Sequence, residues 1–238
     1  MDKPFAVALL WDIDGTLLDT GRAGIFALED AAREVLETTP DFNGLATAGL
    51  TDVEIAVGIV KQSGRPADST VVDRFLRVYE DRLPGALPRK IGRVLPGVRA
   101  ILEGIAARKD IFSMLLTGNT RAGARAKLTH YGIDGFFSGG AFSDGFPDRR
   151  SIARQALDMV RERQAGFSVE DVYVIGDTPH DVHCGKAIGA HTIAVASGHY
   201  GEDALRAFHP WWTIPGLPSP EEFFERVVLR AVRKGGHS

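Results

Sequence analysis

The sequence predicts an α/β protein: a doubly wound, Rossmann-like parallel sheet with an α-helical domain inserted after its first strand. Three observations carry this: continuous apolar runs of strand length, helical periodicity between them, and one long stretch with helical periodicity alone. The runs cover residues 5–11, 111–116, 172–175 and 192–196. Their unbroken apolarity suits strands buried on both faces, and helices between successive strands impose right-handed crossovers and parallel pairing.

The first run stops on Asp12-Ile13-Asp14-Gly15-Thr16, two carboxylates one residue apart. Residues 21–38 follow with Ile25, Leu28, Ala32, Val35 and Leu36 at helical spacing, and 51–62 and 71–83 read as further helices without a strand among them. Pro84, Gly85, Pro88 and Gly92 mark a linker that returns the chain to the sheet. The division is therefore a core of residues 1–20 and 95–238 and a helical domain of residues 21–94. Past the linker, Pro96-Gly97 opens a helix with Val98, Ile101, Leu102 and Ile105 on one face, and 152–160 carries another. Trp211-Trp212 is expected to cover a sheet edge or core, and residues 234–238 to fray.

Composition narrows the function. A chain of 238 residues, 44% hydrophobic, can bury one large core, or one core and a satellite. The 28 basic and 31 acidic residues leave a net charge of -3, without the basic excess of a nucleic-acid binder, so a small molecule is the expected partner. No run of 18 apolar residues exists, and the first apolar stretch is cut off by Asp12, unlike a signal peptide; no membrane partner is expected. Cys184 is the lone cysteine, which suits a reducing compartment, and a cytoplasmic location is expected. Nothing in the sequence sets the oligomeric state.

Four stretches can carry chemistry, each where a doubly wound sheet places its ligands, past the C-terminal ends of strands. They are Asp12-Ile13-Asp14-Gly15-Thr16, Thr117-Gly118-Asn119, Arg149-Arg150 and Gly176-Asp177-Thr178-Pro179-His180-Asp181. In this order and spacing they resemble the motifs of haloacid dehalogenase superfamily phosphatases with a helical cap, close to the phosphoglycolate-phosphatase-like group. The resemblance covers nearly the whole chain and rests on the DxDGT and GDxxxD elements together.

That resemblance implies Mg²⁺-dependent hydrolysis of small phosphate monoesters through an aspartyl-phosphate. Asp12 is the candidate nucleophile, because a carboxylate attacking phosphorus splits one hard hydrolysis into two easier displacements. Mg²⁺ is hard and prefers oxygen, so Asp12, Asp177 and the backbone carbonyl of Asp14 are its candidate ligands, with Asp181 acting through water or from behind. The Asp14 carboxylate is then free to protonate the leaving oxygen and later to deprotonate water. Thr117, Gly118 and Asn119 resemble the element that binds the transferring phosphoryl group, and the N–H groups at Thr120, where a helix starts, are expected to face the site.

Other readings stand beside these. Most relatives carry a lysine where this chain has Arg149; an arginine there can hold phosphate or carboxylate, or the pair Arg149-Arg150 can be a solvated helix start. Asp181 fits a helix cap, Gly49-Leu50-Thr51-Asp52 resembles an element of related caps where substrate contacts are expected while Thr51-Asp52-Val53-Glu54 fits a capping box, and Thr117-Gly118-Asn119 fits an ordinary capped turn. His180 is expected near the site and solvated. At the level of function the alternatives are a sugar-phosphate mutase of the same superfamily and, from another class, a non-catalytic phospho-receiver module. A dehalogenase has no use for an acid at Asp14.

Overall fold

The computed structural model describes residues 4–42, 45, 47–144 and 148–235. In chain order the elements are β1 (Val7–Trp11), β2 (Leu18–Asp19), α1 (Ala23–Leu36), α2 (Asp52–Gln62), α3 (Ser69–Ala86), β3 (Arg93–Val94), α4 (Val98–Ala106), β4 (Ile111–Leu116) and α5 (Arg121–His130). They continue with β5 (Gly140–Ala141), α6 (Arg149–Arg163), β6 (Val172–Gly176), α7 (Pro179–Ile188), β7 (His191–Val195), α8 (Glu202–Arg206), β8 (Trp212–Ile214) and α9 (Pro220–Gly235). Residues 236–238 of the expected frayed terminus lie outside the described residues.

The main sheet is parallel throughout, in the order β5-β4-β1-β6-β7-β8. β1 is central, with Val7 opposite Ile111 on one side and Ala8 opposite Val172 on the other. Alternation along the pleat splits its side chains between two cores. Val7, Leu9 and Trp11 join residues of α4, α5 and α9, while Ala8 and Leu10 join residues of α6 and α7. Both faces are therefore covered, which explains why these strands read as unbroken apolar runs rather than alternating ones.

From β1 the chain runs outward through β4 and β5, then crosses back to β6 and continues to β7 and β8. The reversal beside β1 opens a crevice at the C-terminal strand ends, the usual ligand position in such sheets. Asp12 follows β1, Thr117 follows β4 and Asp177 follows β6, so one topological feature gathers three distant stretches.

The insertion has a core of its own. Ala23, Ala27 and Ala31 of α1 share a cluster with Phe75, Tyr79 and Leu83 of α3 and with Ile55, Ala56 and Ile59 of α2. Small side chains on α1 let the aromatic stripe of α3 approach closely. Where the chain leaves and re-enters the sheet domain, β2 and β3 pair antiparallel, Leu18 opposite Val94 and Asp19 opposite Arg93.

Two sequence expectations need correction. Pro84 and Gly85 lie inside α3, not in the return linker. Pro84 sits in the last turn, where it forgoes one backbone hydrogen bond, and buried Leu83 and Ala86 hold that turn in place. The four strands β2, β3, β5 and β8 were not anticipated, since two or three residues carry no readable period. Trp212 begins the edge strand β8, with Trp211 packed edge-on against Tyr173 at 5.2 Å between ring centroids, so the tryptophan pair covers the sheet edge.

Candidate active site

The backbone at Asp12 still belongs to the sheet: its N–H donates to the Ile175 carbonyl at 2.9 Å. Three residues later the chain turns at Gly15, with φ +79°, and a Cβ there would lie 2.3 Å from Asp177 Oδ2. Gly198 closes the other side, where a Cβ would come within 1.8 Å of the same oxygen. The Asp177 carboxylate thus sits in a cradle that only glycine leaves open. Ser197 Oγ donates to the Gly15 carbonyl at 2.7 Å, and Thr16 Oγ1 donates to Asp177 Oδ1 at 3.2 Å.

Three carboxylates converge on this crevice. Asp12, Asp177 and Asp181 each offer an oxygen within 4.8 Å of the others, and all three are buried. Burial pushes the Asp177 carboxyl up to about 8, with Asp181 and Asp12 adding to the rise. Burial also lifts Asp12 to about 7, against the pull of Arg149. Arg149 is the first residue of α6, and Asp148 before it accepts from the N–H groups of Arg150 and Ser151 at 2.8 and 3.0 Å. Only 6% exposed, Arg149 pairs with Asp181 through Nη2 and lies 3.6 Å from Asp12 Oδ1 through Nη1. Its Nε–H has no hydrogen-bond partner among the described residues. Arg150 is exposed.

Three buried carboxylates face one guanidinium, and once ionised they carry an excess of negative charge on oxygen atoms alone. That donor set fits a hard divalent cation such as Mg²⁺. Asp181 is the most committed of the three, since Thr178 also donates to its Oδ2 through the backbone N–H at 3.0 Å and the hydroxyl at 2.7 Å. Capping and pairing with Arg149 therefore coexist in one side chain. His180 is half-buried rather than solvated, beside Gly49 of the insertion; burial and then Arg149 lower its imidazole.

The second half of the site lies between β4 and α5. Asn119 Nδ2 donates to Thr117 Oγ1 at 2.8 Å and to Asp14 Oδ2 at 2.9 Å, so this loop reaches the DxD turn directly. The Thr117 hydroxyl also favours the ionised form of Asp12. Thr120 caps α5, its Oγ1 accepting from Gly123 N–H at 3.1 Å. Its own N–H does not face the site as expected; it donates to Asp52 Oδ2 of the insertion at 2.9 Å.

Lys127 escaped the sequence reading, and Asp52 was placed only as a cap residue or a substrate contact. Lys127 of α5 is 4% exposed and donates to Asp14 Oδ2 and to Asn119 Oδ1, both at 2.6 Å. Burial alone would lower this ammonium, but Asp14 and Asp52 beside it outweigh that and raise it. The available signal was its place on a helix that starts at Thr120, three residues past Ala124 and next to Leu128, both buried. Asp52 was read as part of a capping box, which the structure contains: Thr51 Oγ1 accepts from Glu54 N–H at 3.0 Å, and Thr51 N–H donates to Glu54 Oε2 at 2.9 Å. The Asp52 side chain nevertheless points into the core domain.

The haloacid dehalogenase-like hydrolase family matches residues 9–186 of the chain. The phosphoglycolate phosphatase of Mesorhizobium japonicum is 26% identical over 243 residues, covering 100% of both chains, and that of Neisseria meningitidis is 26% identical over 92% of this chain and 93% of its own. Among solved structures, CbbY from Rhodobacter sphaeroides, in complex with phosphate, superposes with a TM-score of 0.65 at 17% identity, over 88% of this chain and 93% of its own. A haloacid dehalogenase-like hydrolase from Streptococcus pneumoniae gives 0.63 at 19% identity, over 92% and 97%. These structures share the fold, and the family match spans most of the chain, from β1 into α7. The chain belongs to the haloacid dehalogenase-like hydrolases.

Proposed function

We propose that this chain is a Mg²⁺-dependent phosphatase that hydrolyses small phosphate monoesters through an aspartyl-phosphate on Asp12, similar in activity to the phosphoglycolate phosphatases it resembles. The observation that carries the reading is the difference in setting between Asp12 and Asp14. Asp12 is buried beside Arg149 and the other site carboxylates, whereas the Asp14 side chain is 42% exposed and held on the opposite side by Lys127 and Asn119. A nucleophile needs cations around it and an acid needs reach to the leaving group, so the two carboxylates have different tasks.

In the first step an Asp12 oxygen attacks phosphorus, the bond from phosphorus to the ester oxygen breaks, and Asp14 gives its proton to the departing alkoxide. In the second, Asp14 takes a proton from water as that water attacks phosphorus, and the Asp12 carboxylate leaves with its electron pair. Arg149 lies beside the Asp12 carboxylate through Nη1, which also faces Gly118, so its charge is available to a phosphoryl oxygen there. Thr117, Gly118 and Asn119 supply the hydroxyl and amides that receive the other oxygens. Asp12, Asp177 and the Asp14 carbonyl would hold Mg²⁺, with Asp181 behind them; the ion supplies positive charge to the reacting oxygens.

No helix among the described residues is long and apolar enough to cross a membrane, and the charge balance suits a small phosphorylated metabolite rather than nucleic acid. A cytoplasmic location remains part of the proposal, from the lone, buried and reduced Cys184. The test is phosphate release from p-nitrophenyl phosphate and a panel of small phosphate monoesters with and without Mg²⁺, together with acid quenching of turnover to trap labelled protein. Multiple turnovers that need Mg²⁺ and a base-labile phosphoprotein are expected. Absence of turnover on every ester would overturn the reading, and a stable phosphoprotein without turnover would favour a receiver.

A further inference from the structure

The insertion meets the candidate phosphate-binding loop at Asp52. Asp52 is the first residue of α2 and is buried, yet it carries a charge that its own helix does not need, since Thr51 and Glu54 already close the capping box. Its backbone N–H donates to the Gly118 carbonyl at 2.8 Å, and its Oδ2 accepts from the Thr120 N–H at 2.9 Å. Asp52 therefore brackets Gly118 and Asn119 from both sides. The approach is close: a Cβ on Gly118 would lie 2.6 Å from the Leu50 carbonyl and 3.1 Å from Thr51 Cα.

The other Asp52 oxygen faces Tyr79 of α3, whose hydroxyl lies 3.5 Å from Oδ1. Beneath the carboxylate runs α5, where Lys127 is the nearby cation that Asp52 shares with Asp14. Asp52 thus hydrogen-bonds the loop, and its charge is felt at Lys127, which itself bonds Asn119 of that loop and the proposed acid. A buried carboxylate is costly unless hydrogen-bonded and compensated, and this one finds its backbone donor, Thr120, and its nearby cation, Lys127, across the boundary between the helical insertion and the sheet domain.

We propose that Asp52 is a positioning residue of the phosphatase site: docked from the helical insertion, it fixes the Gly118–Thr120 backbone for phosphate and orients the Lys127–Asp14 pair. The inference rests on the phosphatase reading above. It gives the insertion a task in the chemistry beyond covering the crevice, because the loop and the acid are in register only when Asp52 is seated.

The experiment compares wild type with Asp52→Ala, Asp52→Asn, Lys127→Met and the double variant Asp52→Asn/Lys127→Met. Each is measured for kcat and KM on p-nitrophenyl phosphate with Mg²⁺ and for inhibition by inorganic phosphate. Asp52→Ala is expected to lower kcat and to weaken inhibition by phosphate, each by about tenfold. Asp52→Asn still accepts from Thr120 and should restore inhibition to within about threefold of wild type while kcat stays low, because the charge felt by Lys127 is gone. With Lys127→Met already present, adding Asp52→Asn should cost no further kcat. Wild-type kinetics in folded Asp52→Ala, equal loss of phosphate inhibition in the Ala and Asn variants, or additive kcat losses in the double variant would each overturn the role of Asp52. If Asp52→Ala does not fold, the Asn variant and the double-variant comparison decide. Absence of turnover in wild type would instead overturn the phosphatase reading itself.

Discussion

Lys127 Nζ lies 2.6 Å from Asp14 Oδ2, and Asn119 Nδ2 reaches the same oxygen at 2.9 Å, so the proposed acid is oriented by two donors on the segment that follows β4. In the proposed reaction the other oxygen, Oδ1, is the one that gives up the proton. Asp14→Asn should therefore slow an alkyl phosphate far more than p-nitrophenyl phosphate, whose leaving group departs without a proton. A ratio of kcat/KM values shifted by at least about tenfold is expected. Equal losses on both esters would argue against acid catalysis by Asp14.

Asp12→Asn should abolish turnover, by about a thousandfold or more, while the fold persists. The change removes the attacking oxygen and a proposed metal ligand but almost no volume, and it relieves crowding among buried carboxylates. Circular dichroism and a melting curve alongside the assay would separate lost chemistry from lost structure. Activity above a few per cent of wild type would end the aspartyl-phosphate reading.

The metal-free protein should become less stable as pH rises. Asp177 and Asp12 are pushed up to about 8 and about 7, so between the ordinary carboxylate range and those values the folded state keeps protons that the unfolded chain has already lost. The folded state binds more protons there, and stability must fall with pH across the window from about 4 to about 8. A dication binds the ionised carboxylates, so the rise in Tm on adding Mg²⁺ should be larger at pH 8 than at pH 5. Asp177→Asn should remove much of both effects. A metal-independent Tm, or a Mg²⁺ shift equal at both pH values, would contradict the assignment.

The long elements were legible because their signals are local. Unbroken apolar runs named β1, β4, β6 and β7, and helical spacing named α1 to α4. The candidate residues Asp12, Asp14, Asp177 and Arg149 stand out in the sequence because they sit at strand ends or helix starts, where a polar residue interrupts a pattern. Lys127 and Asp52 do not. Lys127 reads as an ordinary surface lysine of α5 until the insertion covers that helix, and Asp52 reads as a helix-start acid until its partner Thr120 is brought to it from the other domain. Both owe their roles to contacts between segments distant in sequence, which no periodicity records. Pro84 misled for the opposite reason: a local breaker was overridden by the tertiary burial of Leu83 and Ala86.

Arg149 and Arg150 should separate cleanly. They are neighbours on α6, about 100° apart around its axis, and Arg149 is buried against Asp12 and Asp181 whereas Arg150 is exposed. Arg149→Ala would strip the buried carboxylates of their one guanidinium and remove a donor to the phosphoryl group, costing about 2 to 4 kcal/mol of transition-state stabilisation, or roughly 30- to 1000-fold in kcat/KM. Arg150→Ala should stay within about twofold of wild type. Arg149→Lys keeps the positive charge, but a single ammonium cannot reproduce the fork that meets Asp181 through Nη2 and faces Asp12 through Nη1. Intermediate activity is expected, with a larger defect in kcat than in KM. Kinetics in the reverse order would move the role to Arg150, and wild-type rates in both alanine variants would show that the buried guanidinium is structural.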